Sequence, residues 1–339
     1  MQPAVIRNLL KGRYNLTVNE NLALSPPETD LESMLQYVKS IIRESIDTGE
    51  KTLKEMALYF AGSQGKLLRP TLTLACGLIC KGSPKLNLEE LYFTAAGVEM
   101  LHMSALVHDD IIDRAEMRRG KPTINEIYGS DMALLLGDYF YSRALSLMSK
   151  ISDMSILEQA LSVIARMVEG EVKQKKEAFD TGISLKDYLA RIARKTASLT
   201  AFSCFAGAQV AKLAEKEVKA LVKFGEYFGK AYQIRDDILD FLKNEHVLKK
   251  PTSDLHQGIF TLPMVLYLKE NRHGFANSVV SQEQVKSLYD KCIKSSAVSR
   301  SILLCNTYLE KSLRILMTFP DSPIRFKVIN ILQKVYIYT

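Results

Sequence analysis

Three aspartates, Asp109, Asp110 and Asp113, fall within five positions, and the same i, i+1, i+4 spacing returns in the second half of the chain as Asp236, Asp237 and Asp240. At about 100° per residue, the first and third members of each triplet share one helix face a turn apart, with the second beside them. Carboxylates ~6 Å apart repel by roughly 0.7 kcal/mol per pair in water and roughly 3 kcal/mol at an effective dielectric of 20. Negative charge at a helix C-terminus also opposes the macrodipole. A lone acidic triplet is most often a solvated helix end, but its recurrence at the close of a second apolar helix calls for a cation. Oxygen donors alone suit a hard divalent ion such as Mg²⁺, which takes one or two carboxylates, several waters and substrate phosphates. The alternating ligands and central glycine of an EF-hand are missing, and zinc disfavours an all-oxygen set.

The first triplet is followed by Arg118, Arg119 and Lys121, and a second basic group, Lys66 and Arg69, lies in "GKLLRP". Lys195 in "ARKTASL" and Lys250 in "LKKPTSD" come later. Each alone reads as a solvated surface charge. Beside six aspartates, they point to two diphosphate substrates, one held through metal and one held directly by Arg and Lys.

The elements that must position these groups are helices. Apolar residues recur at helical spacing from Leu31 through Met34, Leu35, Val38, Ile41 and Ile42, behind Thr29 or Asp30 as a cap. Further helices are predicted near 51–61, 69–81, 88–112, 130–149, 153–179, 185–211, 213–242, 255–269, 282–295, 297–317 and 323–337, with strand-like alternation almost absent. "LYFTAAGVEMLHMSALVHDD" and "FGEYFGKAYQIRDDILDF" are apolar around most of their circumference, as expected of helices at the centre of a bundle. The expectation is an all-α single domain of about a dozen helices over 29–339, preceded by an extension over 1–28, flexible or membrane-surface, that carries Arg7, Lys11 and Arg13.

A net charge of +7 suits an anionic small molecule or surface as readily as nucleic acid. No basic stripe interleaved with aromatics speaks for nucleic acid. The five cysteines, Cys76, Cys80, Cys204, Cys292 and Cys305, lack zinc spacing and sit in apolar helical patterns, so a reducing, cytoplasmic setting is expected. No apolar run is long enough for a membrane span, and association with a membrane is expected to be peripheral at most.

From about residue 60 to 265 the chain resembles the all-trans polyprenyl diphosphate synthases, through "GKLLRP", "LHMSALVHDDIIDRAEMRRGKPT", "GDYFYSRA", "EGEVKQ", "RKTASL", "YQIRDDILDF" and "LKKPTSDLHQGIFTLP" in that order. The wording of "RRGKPT", "RIARKTASL" and "YLEKSLRIL" is most similar to the catalytic large subunit of bacterial two-component hexaprenyl and heptaprenyl diphosphate synthases. The resemblance implies the isoprenoid synthase fold, with helices around a central apolar cavity. It implies condensation of an allylic diphosphate with isopentenyl diphosphate, with Mg²⁺, three ions per active site, on Asp109, Asp113 and Asp236. By the same resemblance Arg118 meets the allylic diphosphate; Lys66, Arg69, His102 and Arg119 meet isopentenyl diphosphate; Lys195 and Lys250 steady the departing diphosphate; Thr196 and Gln233 line the reacting centre. His108 is expected to pack or hydrogen-bond near Asp109, and Phe224, Phe228 and Tyr232 to be core. A smaller non-catalytic subunit is the implied partner, with a homodimer as the alternative.

Some positions depart from the family pattern. Gln64-Gly65-Lys66-Leu67 lacks one basic residue, Arg235 stands where an apolar residue is usual, and Lys249 and Ile259 replace a glycine and a polar residue. A terpene cyclase would lack Lys66 and Arg69 and carry a different second metal motif. A non-catalytic subunit would have lost the aspartates. Product length is expected to be set along the helix ending in Asp109, where Ser104 and Ala105 are small and Leu101 follows a turn deeper. This predicts a long product, around hexaprenyl to heptaprenyl size.

Overall fold

The computed structural model of the chain describes residues 30–63, 65–80, 86–243, 257–271 and 280–337. The proposed extension over 1–28 and Lys250 lie outside them. In chain order the helices are α1 (Leu31–Ser45), α2 (Lys51–Ala61), α3 (Leu68–Leu78), α4 (Leu88–Ile112), α5 (Ile124–Tyr128), α6 (Ser130–Met148), α7 (Met154–Lys176) and α8 (Leu185–Ile192). A π-helical turn, Ala193–Ala197, then leads into α9 (Ser198–Val210), α10 (Glu215–Lys243), α11 (Leu262–Glu270), α12 (Gln282–Ile293), α13 (Ala297–Leu316) and α14 (Pro323–Val335).

Local chemistry explains several of the starts. Asp30 accepts a hydrogen bond from the Ser33 backbone at the head of α1, Asn87 accepts from Glu89 and Glu90 at the head of α4, and Ser184 with Asp187 closes a capping box on α8. The predicted stripe of α1 is buried at Leu31, Met34, Val38, Ile41 and Ile42. Several expectations need correction: the helix predicted over 255–269 begins only at Leu262, with 257–261 non-helical, and the short α5 was not predicted. The single helix predicted over 185–211 is interrupted by the π-turn, and a short antiparallel ladder joins β1 (Met117–Arg118) to β2 (Lys121–Pro122) where no strand was predicted. Arg119 and Gly120, both at positive φ, make its two-residue turn, the primed geometry that suits such a hairpin.

The two helices that end in aspartate triplets lie at the centre, as their all-round apolarity predicted. Helix α4 packs on α6, α3, α1 and α9; α10 packs on α13, α9 and the π-turn. Two apolar clusters result. One gathers α1, α2, α4 and α6, the other α8, α10, α11 and α13, and α9 supplies Leu199 and Phe202 to the first and Cys204 and Ala208 to the second. Phe224 and Phe228 are buried and stacked, with Tyr232 half-buried beside them, which fits their reading as core. All five cysteines are free thiols, and four are buried. Among the described residues no helix is long and apolar enough to cross a membrane.

Close approach of the central helices depends on glycine. A Cβ built on Gly207 of α9 would lie 2.0 Å from the Thr73 carbonyl oxygen of α3, and one on Gly229 of α10 would lie 2.7 Å from the Ala197 Cα. A Cβ on Gly137 of α6 would instead meet the His108 ring, at 2.1 Å. His108 thus packs across α4–α6, where its Nε2 lies 3.5 Å from both the Leu134 carbonyl oxygen and Asp138. Gly207→Ala gains up to about 1 kcal/mol of helix propensity but forces two backbones apart, so a net loss of about 1–3 kcal/mol is expected. Gly137→Ala should cost less, because an imidazole can turn aside. Urea denaturation of the two variants checks the order, and equal losses would contradict it.

Candidate active site

Both aspartate triplets reach the same end of the bundle, and the π-turn joins them. Lys195 and Thr196 are adjacent within it. The Lys195 ammonium pairs with Glu171 of α7 at 2.5 Å, and although burial opposes its charge, Asp109 and Glu171 together hold its pKa above the ordinary lysine value. The Thr196 hydroxyl donates to Gln233 Oε1 of α10 at 2.6 Å. Gly170 of α7 and Gly229 of α10 give the wide turn room, because a Cβ on either would fall within 3 Å of Lys195 or Ala197 backbone.

The first triplet is divided. Asp110 is buried and Arg118 forks onto it, with Nε at 2.9 and 2.8 Å from the two carboxylate oxygens and Nη2 at 2.7 Å. Arg118 is therefore committed to Asp110 in this structure, which departs from the reading of it as an anion-binding arginine alone. Asp113, the residue that ends α4, takes Lys175 Nζ at 3.0 Å, and Gln257 bridges Lys175 Nζ (3.1 Å) to the Asp113 carbonyl (3.4 Å). Burial pushes the Asp109 carboxyl up to about 6, against the pull of Lys195 and with the repulsion of Glu171 and Asp113.

The second triplet is divided as well. Asp236 stays partly open, with Arg235 Nη1 at 3.6 Å, the pairing that the unusual arginine suggested. Asp237 turns inward. It accepts from the Tyr188 hydroxyl and from Gln233 Nε2, both at 2.7 Å, and burial raises its pKa to about 6. Asp240 is exposed one turn later.

A cationic pocket flanks this arrangement. The hairpin turn aims Arg119 at the α2–α3 connection, where Nη1 donates to the Ser63 carbonyl at 2.8 Å and the guanidinium fills the space a side chain at Gly65 would need. Lys66 is exposed nearby in sequence, while Arg69 and His102 lie deeper. Burial, then Arg69, Arg119 and Arg118, holds His102 well below the usual histidine pKa, so the ring is neutral. Sequence reasoning missed Glu99 here. It is buried, its Oε2 has no hydrogen-bond partner, and burial lifts its pKa to about 7 despite Arg69 and Arg119. The signal available was an acid in an otherwise apolar helix, three residues before His102. Glu171, Lys175, Tyr188 and Gln257 were also unassigned, although Glu171 falls within the quoted "EGEVKQ".

Ser104 is buried and donates to the Gly137 carbonyl at 2.8 Å, so it secures the α4–α6 contact. Ala105 is half-buried and Leu101 is buried.

These residues fit a hard cation completed by substrate. The donors are oxygens, Asp113 and Asp236 remain partly accessible, and among the described residues no three His, Cys, Asp or Glu side chains form an all-protein cage.

The model for the family described as polyprenyl synthetase matches residues 50–295. The chain belongs to the polyprenyl synthetase family. It is 36% identical over 300 residues to heptaprenyl diphosphate synthase component 2 of Bacillus subtilis (strain 168), spanning 87% of this chain and 85% of that one. The crystal structure of heptaprenyl diphosphate synthase from Staphylococcus aureus superposes with a TM-score of 0.83 at 27% identity, covering 90% of this chain and 98% of that one. A polyprenyl synthase from Caulobacter crescentus CB15, solved with calcium and isoprenyl diphosphate, gives 0.80 at 27% identity, covering 90% and 94%. This polyprenyl synthetase is thus a prenyltransferase with the all-α isoprenoid synthase fold.

The raised carboxyl of Asp109 has a testable sign. With a folded pKa of about 6 against an ordinary 3.8, it favours the folded state below about pH 4 and loses that contribution as pH rises toward 6. In chelated protein at pH 8, Asp109→Asn should therefore raise stability by about 1–2 kcal/mol, less than the full ~3 kcal/mol shift because the group keeps some solvent. Thermal melts of both proteins at pH 4 and pH 8 in EDTA check this. A destabilised variant at pH 8 would contradict it.

Proposed function

We propose that the chain lengthens an allylic diphosphate, with farnesyl diphosphate as primer, by successive head-to-tail trans condensations with isopentenyl diphosphate. The product is long, around hexaprenyl to heptaprenyl size or longer, and serves quinone side-chain synthesis such as that of menaquinone. One observation carries the reading: a single bundle end gathers both acidic triplets, Lys195 and a separate pocket of Arg69, Arg119 and neutral His102, which together suit two different diphosphates.

Asp109, Asp113 and Asp236 would hold Mg²⁺, three ions per site, which when bound supplies Lewis-acid charge to the departing diphosphate. Lys195, already drawn toward Asp109, is placed to take up charge on the leaving oxygen, and Arg118 and Lys175 stand within reach of the same carboxylates. As the allylic C–O bond breaks, the hydroxyl of Thr196 and the amide of Gln233 border the reacting carbon with dipoles in place of water. The isopentenyl double bond forms the new C–C bond, and the proton lost from that unit passes to the released diphosphate. Arg69, Arg119, His102 and the exposed Lys66 hold the second diphosphate, with Lys250 assigned to the first.

The name of the Bacillus subtilis relative, a component 2, supports a two-component enzyme in which a smaller non-catalytic subunit completes this chain; a homodimer is the alternative. Names of heptaprenyl synthases among the relatives support the long product, and the small Ala105 on the turn before Asp109 agrees with it.

Purified chain with farnesyl diphosphate, labelled isopentenyl diphosphate and Mg²⁺ should form prenyl products. EDTA should abolish them, and Asp236→Asn should cut turnover by about a hundred-fold or more. Full activity in EDTA would refute the assignment. Ala105→Phe should stop elongation early, at farnesyl to geranylgeranyl size, while sparing the first condensation. Product chromatography checks this, and an unchanged distribution would show that the growing chain follows another face.

A further inference from the structure

We propose that Tyr188 and Asp237 are a positioning pair that fixes the direction of the Thr196 hydroxyl, so that its oxygen offers only lone pairs to the allylic carbon as that carbon becomes positive. The inference rests on the prenyl-transfer reading above and adds to it: Asp237, which is not among the proposed metal ligands, and Tyr188 each gain a positioning role.

The hydrogen bonds around Asp237 can run in one direction only. Asp237 is 6% exposed and Tyr188 is fully buried. A phenol has one proton to give, and Tyr188 donates it to Asp237 Oδ2 at 2.7 Å. The other carboxylate oxygen, Oδ1, is an acceptor, so the Gln233 group facing it at 2.7 Å must be the amide nitrogen. That orientation turns the Gln233 carbonyl to Thr196, whose hydroxyl spends its single proton there at 2.6 Å. The negative charge on Asp237 thereby reaches the threonine oxygen through one amide, each bond polarising the next. Thr196, Gln233 and Asp237 line one cavity together with Lys195 and Ile192. An unanchored Gln233 could rotate end for end, and Thr196 would then be free to aim its proton at the cation.

Tyr188 is itself held in place. The Arg191 guanidinium lies 5.5 Å from its ring centre, and Arg191 is fixed by Glu177 at 3.1 Å and by the Phe260 carbonyl at 2.6 Å. Arg191 borders the same cavity as Thr196 and Asp237, and its positive charge is matched there by Glu177. The π-turn supplies the last requirement, since its extra residue lets Lys195 meet Glu171 on one side while Thr196 meets Gln233 on the other.

Tyr188→Phe keeps the ring and removes the donor. In steady-state condensation of farnesyl and isopentenyl diphosphates it should lower kcat about ten-fold, a fraction of the loss typical for a group that touches the reacting atoms. KM for both substrates and the Mg²⁺ concentration for half activation should stay within about two-fold, which a variant that merely disturbed the neighbouring Asp236 would not do. The decisive measurement is a cycle with Thr196→Val. Because Tyr188 acts through Thr196, adding Tyr188→Phe to Thr196→Val should cost less than about two-fold further. Multiplicative losses, or a raised Mg²⁺ requirement, would overturn the inference. Should Tyr188→Phe fail to accumulate as folded protein, Asp237→Asn enters the same cycle with the same expected non-additivity. An inactive wild-type chain would refute the prenyl-transfer reading, whereas an active wild type with an additive cycle refutes the positioning pair alone.

Discussion

Carboxylates crowded at the end of an apolar bundle repel one another, and the arrangement of polar groups around them answers that repulsion. Asp110 takes Arg118, Asp113 takes Lys175, and Lys195 sits between Glu171 and Asp109. On the proposed function, these pairs would be alternatives to substrate. Asp109 and Asp113 would hold a cation in place of Lys175, and a diphosphate would offer the released side chains a new anion. Because each such pair must be broken or stretched on binding, net affinity is the difference between two well-paired states, not the sum of the new contacts. The structure thus holds these cationic side chains on its own carboxylates.

Bringing these groups together is a packing problem before it is an electrostatic one. Helices α4, α9 and α10 must run close enough that α9 can face both apolar clusters, and glycines at 207, 225 and 229 stand where an added Cβ would strike the neighbouring helix. The same device places the π-turn between α7 and α10 through Gly170 and Gly229. A methyl group at these points would push the helices apart, and the site would loosen with them, since Lys195 and Thr196 reach opposite walls by a few ångströms only. Stability and active-site geometry share the same contacts here.

Much of this was legible in the sequence. Apolar periodicity located most helices to within a turn, though not the start of α11 or the short α5, and all-round apolarity identified α4 and α10 as central, because a helix buried on every side has no polar face to write. The doubled triplet announced the acidic end of the bundle. Less legible were features that depend on one residue more or fewer per turn. Helical spacing places Tyr188 two turns before Lys195, yet the π-turn rotates α9 relative to α8, so nothing in the linear pattern links Tyr188 to Asp237. The hairpin was equally silent: two-residue strands carry no alternation, and only Arg119-Gly120 hints at the turn. The bond from Ser104 to the Gly137 carbonyl was not legible either, since a small polar residue on an apolar helix gives no sign of which neighbour's carbonyl it meets.

The two triplets are compensated differently, and the difference has a chemical sense. On α4 the partners are cations, Arg118 and Lys175, which suits a place where diphosphate charge must be met. Inside α10, Asp237 is met by a phenol and an amide, both neutral. A neutral donor satisfies a buried carboxylate without cancelling its field, whereas an arginine in the same place would do both. Arg191 lies over the Tyr188 ring and borders the same cavity, where Glu177 pairs with it and leaves the phenol and the amide as the direct hydrogen-bond partners of Asp237. The two triplets thus answer the same repulsion by different means, paired charge on α4 and neutral hydrogen bonds inside α10.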